Sequence, residues 1–314
     1  MNFTADAYTN QRSFEKNRGT YPESLPCHFN LSITAIEKSP SVKFGSTPHW
    51  CSKSYSLIYV DVFGRQVIQF SSRLFHKMSF ESDVAFAIPS SDTTERELIL
   101  IVGLEDKILE VNFTKQIILR ELATLPFDLA SNGRFVHAKC SPNGTLYIGC
   151  VCKSWIWGPM GYLLRLCPNN FGETFTLHRI FQRDWLESSF QIPNASAWYG
   201  DEELLVMDAG VGKISSFKVA GDAESSHRIS NGNPLDYLWE AGPIIERNNT
   251  IFTLASLSGM SGDKLEGIAV DSSKNLWVTT SGSKGHILQI NPETGDMMQT
   301  LAFPISTPTA CIFG

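Results

Sequence analysis

The chain has 314 residues, a net charge of −6 at pH 7 and 42% hydrophobic residues. This length allows one large all-β core or two smaller domains. The sequence contains no run of basic residues that would neutralise phosphates, and no apolar run reaches the roughly 18 residues of a membrane-spanning helix. We therefore expect a partner that is neither a nucleic acid nor a membrane.

The first 26 residues are polar, show no hydrophobic periodicity and lack the apolar segment of a secretory signal. They predict a disordered tail over residues 1–26, followed by one domain over residues 27–314. The seven cysteines are an odd number without zinc-ribbon spacing. They indicate mostly reduced thiols, which favours a cytoplasmic protein.

Five similar units follow along the chain. Each has a buried apolar strand, a turn with Gly or Asp, and a second strand with alternating residues. The first strands of these units start near Leu57, Leu98, Thr145, Leu204 and Leu276. Separations of about 40 to 70 residues, with little sign of helical periodicity, predict four-stranded propeller blades rather than an open sandwich.

Two of the units carry an oxygen-bearing side chain just ahead of an apolar strand. Glu266 precedes Gly267 and the strand that follows, and Asn194 follows Pro193 in a similar position. Matching positions in two repeated units indicate a shared central site. Such a ring of strand ends can hold a metal ion or a reacting group.

Several phrases resemble those of one family. GSTPHW at residues 45–50 resembles "GEGPHW", and PNASAW at 193–198 resembles "PNGIAW". Further matches cover residues 133–144, 265–278 and 291–314. In this order they resemble the SMP-30 (regucalcin), gluconolactonase and luciferin-regenerating enzyme family.

The resemblance implies a six-bladed β-propeller with one divalent metal in its central channel, usually calcium and alternatively zinc. It also implies hydrolysis of a small-molecule sugar lactone or related ester. The family's metal ligands fall on Ser46, Asn194 and Glu266, and Glu266 would also be the general base. The substrate-binding positions fall on Arg134 and His137.

Some residues depart from the family pattern. Ser46 replaces a Glu, so Glu266 is the one carboxylate of the expected site, and we predict weak metal binding. Val136 replaces an Asn, and His137 replaces an Asp and is either a substrate ligand or a structural histidine. The alternative function is therefore a catalytically impaired member that serves as a metal-binding, ligand-binding or interaction propeller.

Two departures concern the fold. Residues 232–246 have no counterpart in the family pattern and predict a surface loop or an alternatively spliced segment. The family also continues beyond the position of the last residue here. We therefore expect an incomplete last blade and a lower melting temperature than that of a longer relative.

Overall fold

The computed structural model describes residues 3–4, 34–35, 40–71, 74–126, 132–154, 158–168, 175–182, 190–219, 244–254 and 262–313. These residues form β-strands joined by turns. No helix within these ranges has the length and apolarity needed to cross a membrane. The all-β fold class is confirmed.

The strands form five antiparallel four-stranded sheets, apart from a short pair made by β1 (Phe3–Thr4) and β2 (Thr34–Ala35). The first sheet contains β3 (Gly45–Cys51), β4 (Ser56–Asp61), β5 (Gln66–Ser71) and β6 (Leu74–Ser79). The second contains β7 (Phe86–Pro89), β8 (Ile99–Gly103), β9 (Lys107–Asn112) and β10 (Ile117–Thr124). The third contains β11 (Gly133–Cys140), β12 (Leu146–Ser154), β13 (Gly158–Pro168) and β14 (Phe175–Arg179).

The fourth sheet has one additional short strand. It contains β16 (Pro193–Tyr199), β17 (Glu203–Asp208), β18 (Lys213–Val219) and β19 (Ile244–Thr253), and β15 (Phe181–Gln182) pairs in parallel with β19. The fifth contains β20 (Lys264–Val270), β21 (Leu276–Ser281), β22 (Gly285–Ile290) and β23 (Met297–Phe303).

Burial explains which part of each repeat is most apolar. The second strands, such as β8 and β17, are almost completely buried, because sheets cover both of their faces. The fourth strands, such as β10 and β23, are largely exposed. The apolar runs of the sequence are thus the second strands of the sheets.

Successive sheets pack face to face through their first strands, in the order β3, β7, β11, β16 and β20. Four apolar clusters fill the spaces between neighbouring sheets. These clusters contain, from the first interface to the fourth, Val60 with Leu100, Phe86 with Ile148, Tyr147 with Val206, and Leu205 with Val278. The arrangement is a β-propeller whose first strands surround a central axis.

The prediction of six blades is wrong, because the described residues form five blade sheets, four with four strands and one with five. The sequence contains five strand–turn–strand units, and the sixth blade was implied by the family resemblance alone. A single segment bridges the fifth and first sheets. Thr309 donates a hydrogen bond to the Gly45 carbonyl, and a Cβ added to Gly267 would lie 2.6 Å from Ala310 Cα. Among the described residues this segment joins no sheet.

Two expectations fall mainly outside the described residues. Of the predicted tail over residues 1–26, the structure describes Phe3–Thr4, which pairs as β1. Of the predicted insertion over residues 232–246, it describes the last three residues, which begin β19. Neither expectation is tested further.

Candidate functional site at the first strands

The first strands of three sheets carry a β-bulge at the same position. The register of β11 with β12 leaves Val136 as an extra residue between Phe135 and His137. The extra residue is Asn194 on β16 and Glu266 on β20. In each sheet, four or five residue pairs join the first two strands between the bulge and their connecting turn. A bulge redirects a side chain relative to regular alternation, so the three residues occupy equivalent places around the axis.

The structure brings Asn194 and Glu266 together. Asn194 Nδ2 donates hydrogen bonds to the backbone carbonyls of Leu265 at 3.0 Å and Glu266 at 3.4 Å. This contact spans the fourth and fifth sheets and holds the amide in one orientation. The other amide atom, Oδ1, is buried, and no described residue donates a hydrogen bond to it. An orphaned buried acceptor is costly unless a ligand, a water or a cation occupies it.

Glu266 is half-buried, and Ser281 at the end of β21 donates a hydrogen bond to its Oε1. Burial raises the pKa of this carboxyl, while the Ser281 hydrogen bond and the charge of Lys264 oppose the rise. A carboxylate with a raised pKa is a better general base near neutral pH. Ser281 could not be recognised as a site residue from the sequence, because its proximity to Glu266 depends on the pairing of β20 with β21.

Ser46 and Arg134 are not the extra residues of a bulge, but both lie on first strands. Ser46 is half-buried on β3 and pairs with Val60. The β3 bulge follows directly after Ser46, at Thr47 and Pro48. Arg134 is exposed on β11, two residues before the bulge. The structure records no hydrogen bond that joins Ser46 or Arg134 to Asn194 or Glu266.

His137 is buried, with 3% of its surface exposed, and both ring nitrogens are engaged. Nδ1 lies 2.8 Å from the Pro193 carbonyl oxygen and Nε2 lies 3.0 Å from Ser196 Oγ. Because a carbonyl can only accept, Nδ1 carries the proton and Nε2 accepts from the serine hydroxyl. Burial lowers the pKa of His137 from 6.5 to about 4, against an opposing effect of the Pro193 hydrogen bond. Through these two hydrogen bonds, His137 links the third sheet to the fourth.

Asp208 fixes the chain where it enters the fourth sheet. Its carboxylate accepts hydrogen bonds from the backbone N–H groups of Gln191 at 2.8 Å, Ile192 at 2.9 Å and Gly210 at 3.0 Å. Asp61 accepts equivalent bonds at the entry to the first sheet. Bonds to a carboxylate are among the strong hydrogen bonds of a protein. Asp208 therefore has a structural role, and its carboxylate positions the strand that carries Asn194.

A second group of titratable side chains comes together from distant parts of the chain. Lys139 on β11 interacts electrostatically with His49 on β3 and with Cys311 in the bridging segment. Burial lowers the pKa of Lys139, and burial with the Lys139 charge lowers that of His49 to about 4. Burial also raises the pKa of the Cys311 thiol to about 12. Elements of the first and third sheets and the bridging segment therefore approach one another at these residues.

The donor set suits an oxygen-preferring cation. Asn194 Oδ1 offers a neutral oxygen without a partner, and Glu266 offers a carboxylate on the adjacent strand. Calcium binds amide and carboxylate oxygens of this kind. Within the described ranges, no three His, Cys, Asp or Glu side chains gather as a metal-binding group. Among the described residues of this site, Glu266 is therefore the one candidate for an acidic ligand.

These observations define a class of protein: an all-β propeller with an amide and a carboxylate on equivalent bulges of adjacent first strands. The family follows from comparison with known proteins. The chain belongs to the SMP-30/gluconolactonase/LRE-like family, whose model matches residues 44–314.

Its relatives are similar over most of their length. Regucalcin from Xenopus laevis is 25% identical over 280 residues, which cover 88% of this chain and 81% of the relative. Human regucalcin is 22% identical over 276 residues, covering 86% and 79%. Among solved structures, a luciferin-regenerating enzyme aligns with a TM-score of 0.66 at 18% identity, covering 86% of this chain and 79% of its own. The gluconolactonase XC5397 from Xanthomonas campestris aligns at 0.59 and 13% identity, covering 87% and 80%. These structural matches support the fold.

Proposed function

We infer that this protein is a metal-dependent hydrolase of lactones or related esters, with its reaction centre at Asn194 and Glu266. The observation that carries the proposal is the buried Oδ1 of Asn194, to which no described residue donates, on a side chain whose Nδ2 bonds to the Glu266 backbone carbonyl. Family membership supports the reaction class, since a gluconolactonase is among its structural matches. Calcium is the metal we propose, with zinc as the alternative.

The residues have separable roles in this proposal. Asn194 and Glu266 would hold the metal, with Ser46 as a further hydroxyl ligand. The bound cation would polarise the lactone carbonyl and acidify water. Glu266 would accept a proton from the attacking water, helped by the pKa that burial raises. Arg134, exposed beside the site, would bind oxygen atoms of the substrate.

Of the two roles expected for His137, we propose the structural one. Both of its ring nitrogens are engaged within the fold, so we propose that it positions β11 against β16. A cytoplasmic location remains a prediction.

The test measures hydrolysis of glucono-δ-lactone and of an aryl ester, with calcium, with zinc and with a chelator. We expect metal-dependent turnover that falls at least about 100-fold in Glu266→Gln, because the variant lacks both the base and the acidic ligand. Glu293→Gln is the matched control, since Glu293 is exposed in the turn before β23. Turnover that is equal in both variants would contradict the proposal.

One observation favours the alternative of a propeller that binds without catalysis. The site has one carboxylate, and calcium affinity depends on the number of charged ligands. Metal-induced thermal stabilisation that Glu266→Gln abolishes, without turnover of any lactone or ester, would support metal binding alone. If neither thermal stabilisation nor turnover is observed, the remaining candidate is a propeller that serves as an interaction platform.

A further inference from the structure

The bulges divide the first strands into a polar arc and an apolar arc. The polar arc belongs to the fourth and fifth sheets, where the extra residues are Asn194 and Glu266. On the third sheet the equivalent residue is Val136, which is half-buried. A substrate at this level of the axis meets hydrogen-bonding groups on one side and an aliphatic side chain on the other.

The first sheet extends the apolar arc. Its bulge contains Thr47 and Pro48, and Thr47 has an unusual positive φ of 44°. The Thr47 hydroxyl lies 3.4 Å from the Ala85 carbonyl, to which it donates a hydrogen bond. With the Thr47 hydroxyl engaged, the remaining side-chain groups of this bulge are the threonine methyl group and the proline ring.

The second sheet, which lies between the first and third, adds no polar bulge. β7 pairs with β8 without a register shift, and it begins beside Ala85 with the buried Phe86. β7 contacts both β3 and β11, so the three apolar elements are consecutive around the axis. Of the polar residues on β3 and β11, Arg134 is exposed, Ser46 pairs with Val60, and His49 and Lys139 follow the bulges towards the ends of their strands.

His137 does not restore polarity to the apolar arc. It follows Val136 directly, but both of its nitrogens bond to groups of the fourth sheet. A hydroxyl group of a substrate placed against Val136 would lose its water without gaining a protein partner. Burying such a group unpaired costs roughly 1–3 kcal/mol in proteins.

We propose that the substrate is an amphiphilic lactone or ester, with its carbonyl at Asn194 and Glu266 and an alkyl or aryl group against Val136 and Pro48. This inference rests on the proposed function and names the substrate class of that site. A sugar lactone carries hydroxyl groups on all sides of its ring and fits the apolar arc poorly. An alkyl-substituted lactone of the same ring size would place its alkyl group against the apolar side chains of Val136 and Pro48.

The test compares kcat/KM for δ-decalactone and glucono-δ-lactone, which share a six-membered ring. We expect the wild type to prefer the alkyl lactone by at least about tenfold, the effect of roughly 1.4 kcal/mol. Val136→Thr adds a hydroxyl with little change of shape, and Val136→Asn adds an amide. Both variants should shift the ratio towards the sugar lactone by about tenfold. Val211→Asn is the control and should leave the ratio unchanged, since Val211 is 44% exposed in the turn after β17.

The outcomes separate this inference from the proposed function. Turnover that favours the sugar lactone, or a ratio that neither Val136 variant changes, overturns the inference and leaves the hydrolase intact. If no lactone is hydrolysed with any metal, calorimetry with the corresponding lactams, which resist hydrolysis, decides the question. Binding of the alkyl lactam that Val136→Asn weakens supports the apolar arc. Absent or unaltered binding of that lactam overturns it.

Discussion

The buried imidazole of His137 makes the stability of this protein depend on pH. Burial lowers the native pKa of His137 to about 4 from an ordinary 6.5. The unfolded chain therefore binds a proton below pH 6.5 that the native state excludes until about pH 4. Unfolding is favoured as the pH falls through this window, and the stability is regained as the pH rises. Between pH 7 and pH 5 the loss attributable to this one histidine is about 2 kcal/mol, at about 1.4 kcal/mol per pKa unit.

The perturbation that tests this is His137→Gln, which removes the titrating ring while keeping a group that can donate to the Pro193 carbonyl. At pH 7 we expect the variant to be about 1–2 kcal/mol less stable, because the bond with Ser196 is lost or weakened. Wild type loses its additional 2 kcal/mol by pH 5, so the two proteins should have similar stability there.

The assay is urea-induced unfolding at pH 7, 6 and 5, followed by tryptophan fluorescence. His76→Gln is the control, since His76 is exposed on β6 and should leave the pH dependence as in wild type. A variant His137→Gln that keeps the full pH dependence of wild type would refute the reasoning. It would mean that His137 is not buried as a neutral ring.

Three further predictions concern the contacts that shape the site. Asp208→Ala should lower the free energy of unfolding by about 2–4 kcal/mol, since three backbone N–H groups lose a carboxylate partner; thermal unfolding checks this, with the exposed Asp92→Ala as control. Lys139→Met should raise the stability by about 1 kcal/mol at pH 7, because an apolar side chain of similar length replaces a buried amine; a less stable variant in urea would contradict this. Gly267→Ala should cost about 1–3 kcal/mol, because the added methyl would meet Ala310 Cα at 2.6 Å; an unchanged melting temperature would show that residues 309–311 do not pack there.

Much of the fold could be predicted from local patterns. A strand buried on both faces has an uninterrupted apolar run, and β8 and β17 show it without reference to the rest of the chain. The pairing of Asn194 with Glu266 was also predictable, because similar phrases of repeated units occupy similar positions. The five strand–turn–strand units also match the five sheets, whereas the sixth blade was implied by the family resemblance and had no strand pattern of its own.

The roles of Val136 and His137 required the tertiary structure. In the sequence they are neighbouring departures from a family phrase, and His137 could bind a substrate or serve the fold. The β11 bulge separates them: Val136 becomes the extra residue, and His137 bonds to Pro193 and Ser196, 56 and 59 residues away. Side-chain direction in a strand depends on the register with its partner, and a bulge changes that register by one residue.

The sequence by itself determined the class of structure, the five strand–turn–strand units and the positions of the amide and carboxylate on two of them. Those properties depend on hydropathy and turn residues within a few positions of each other. The tertiary structure decided that the first strands combine a polar arc with an apolar one, that Ser46 lies off the bulge, and that Lys139 approaches His49 and Cys311. Each of these depends on contacts between segments far apart in the chain, and only the packing of the sheets around their axis brings those segments together.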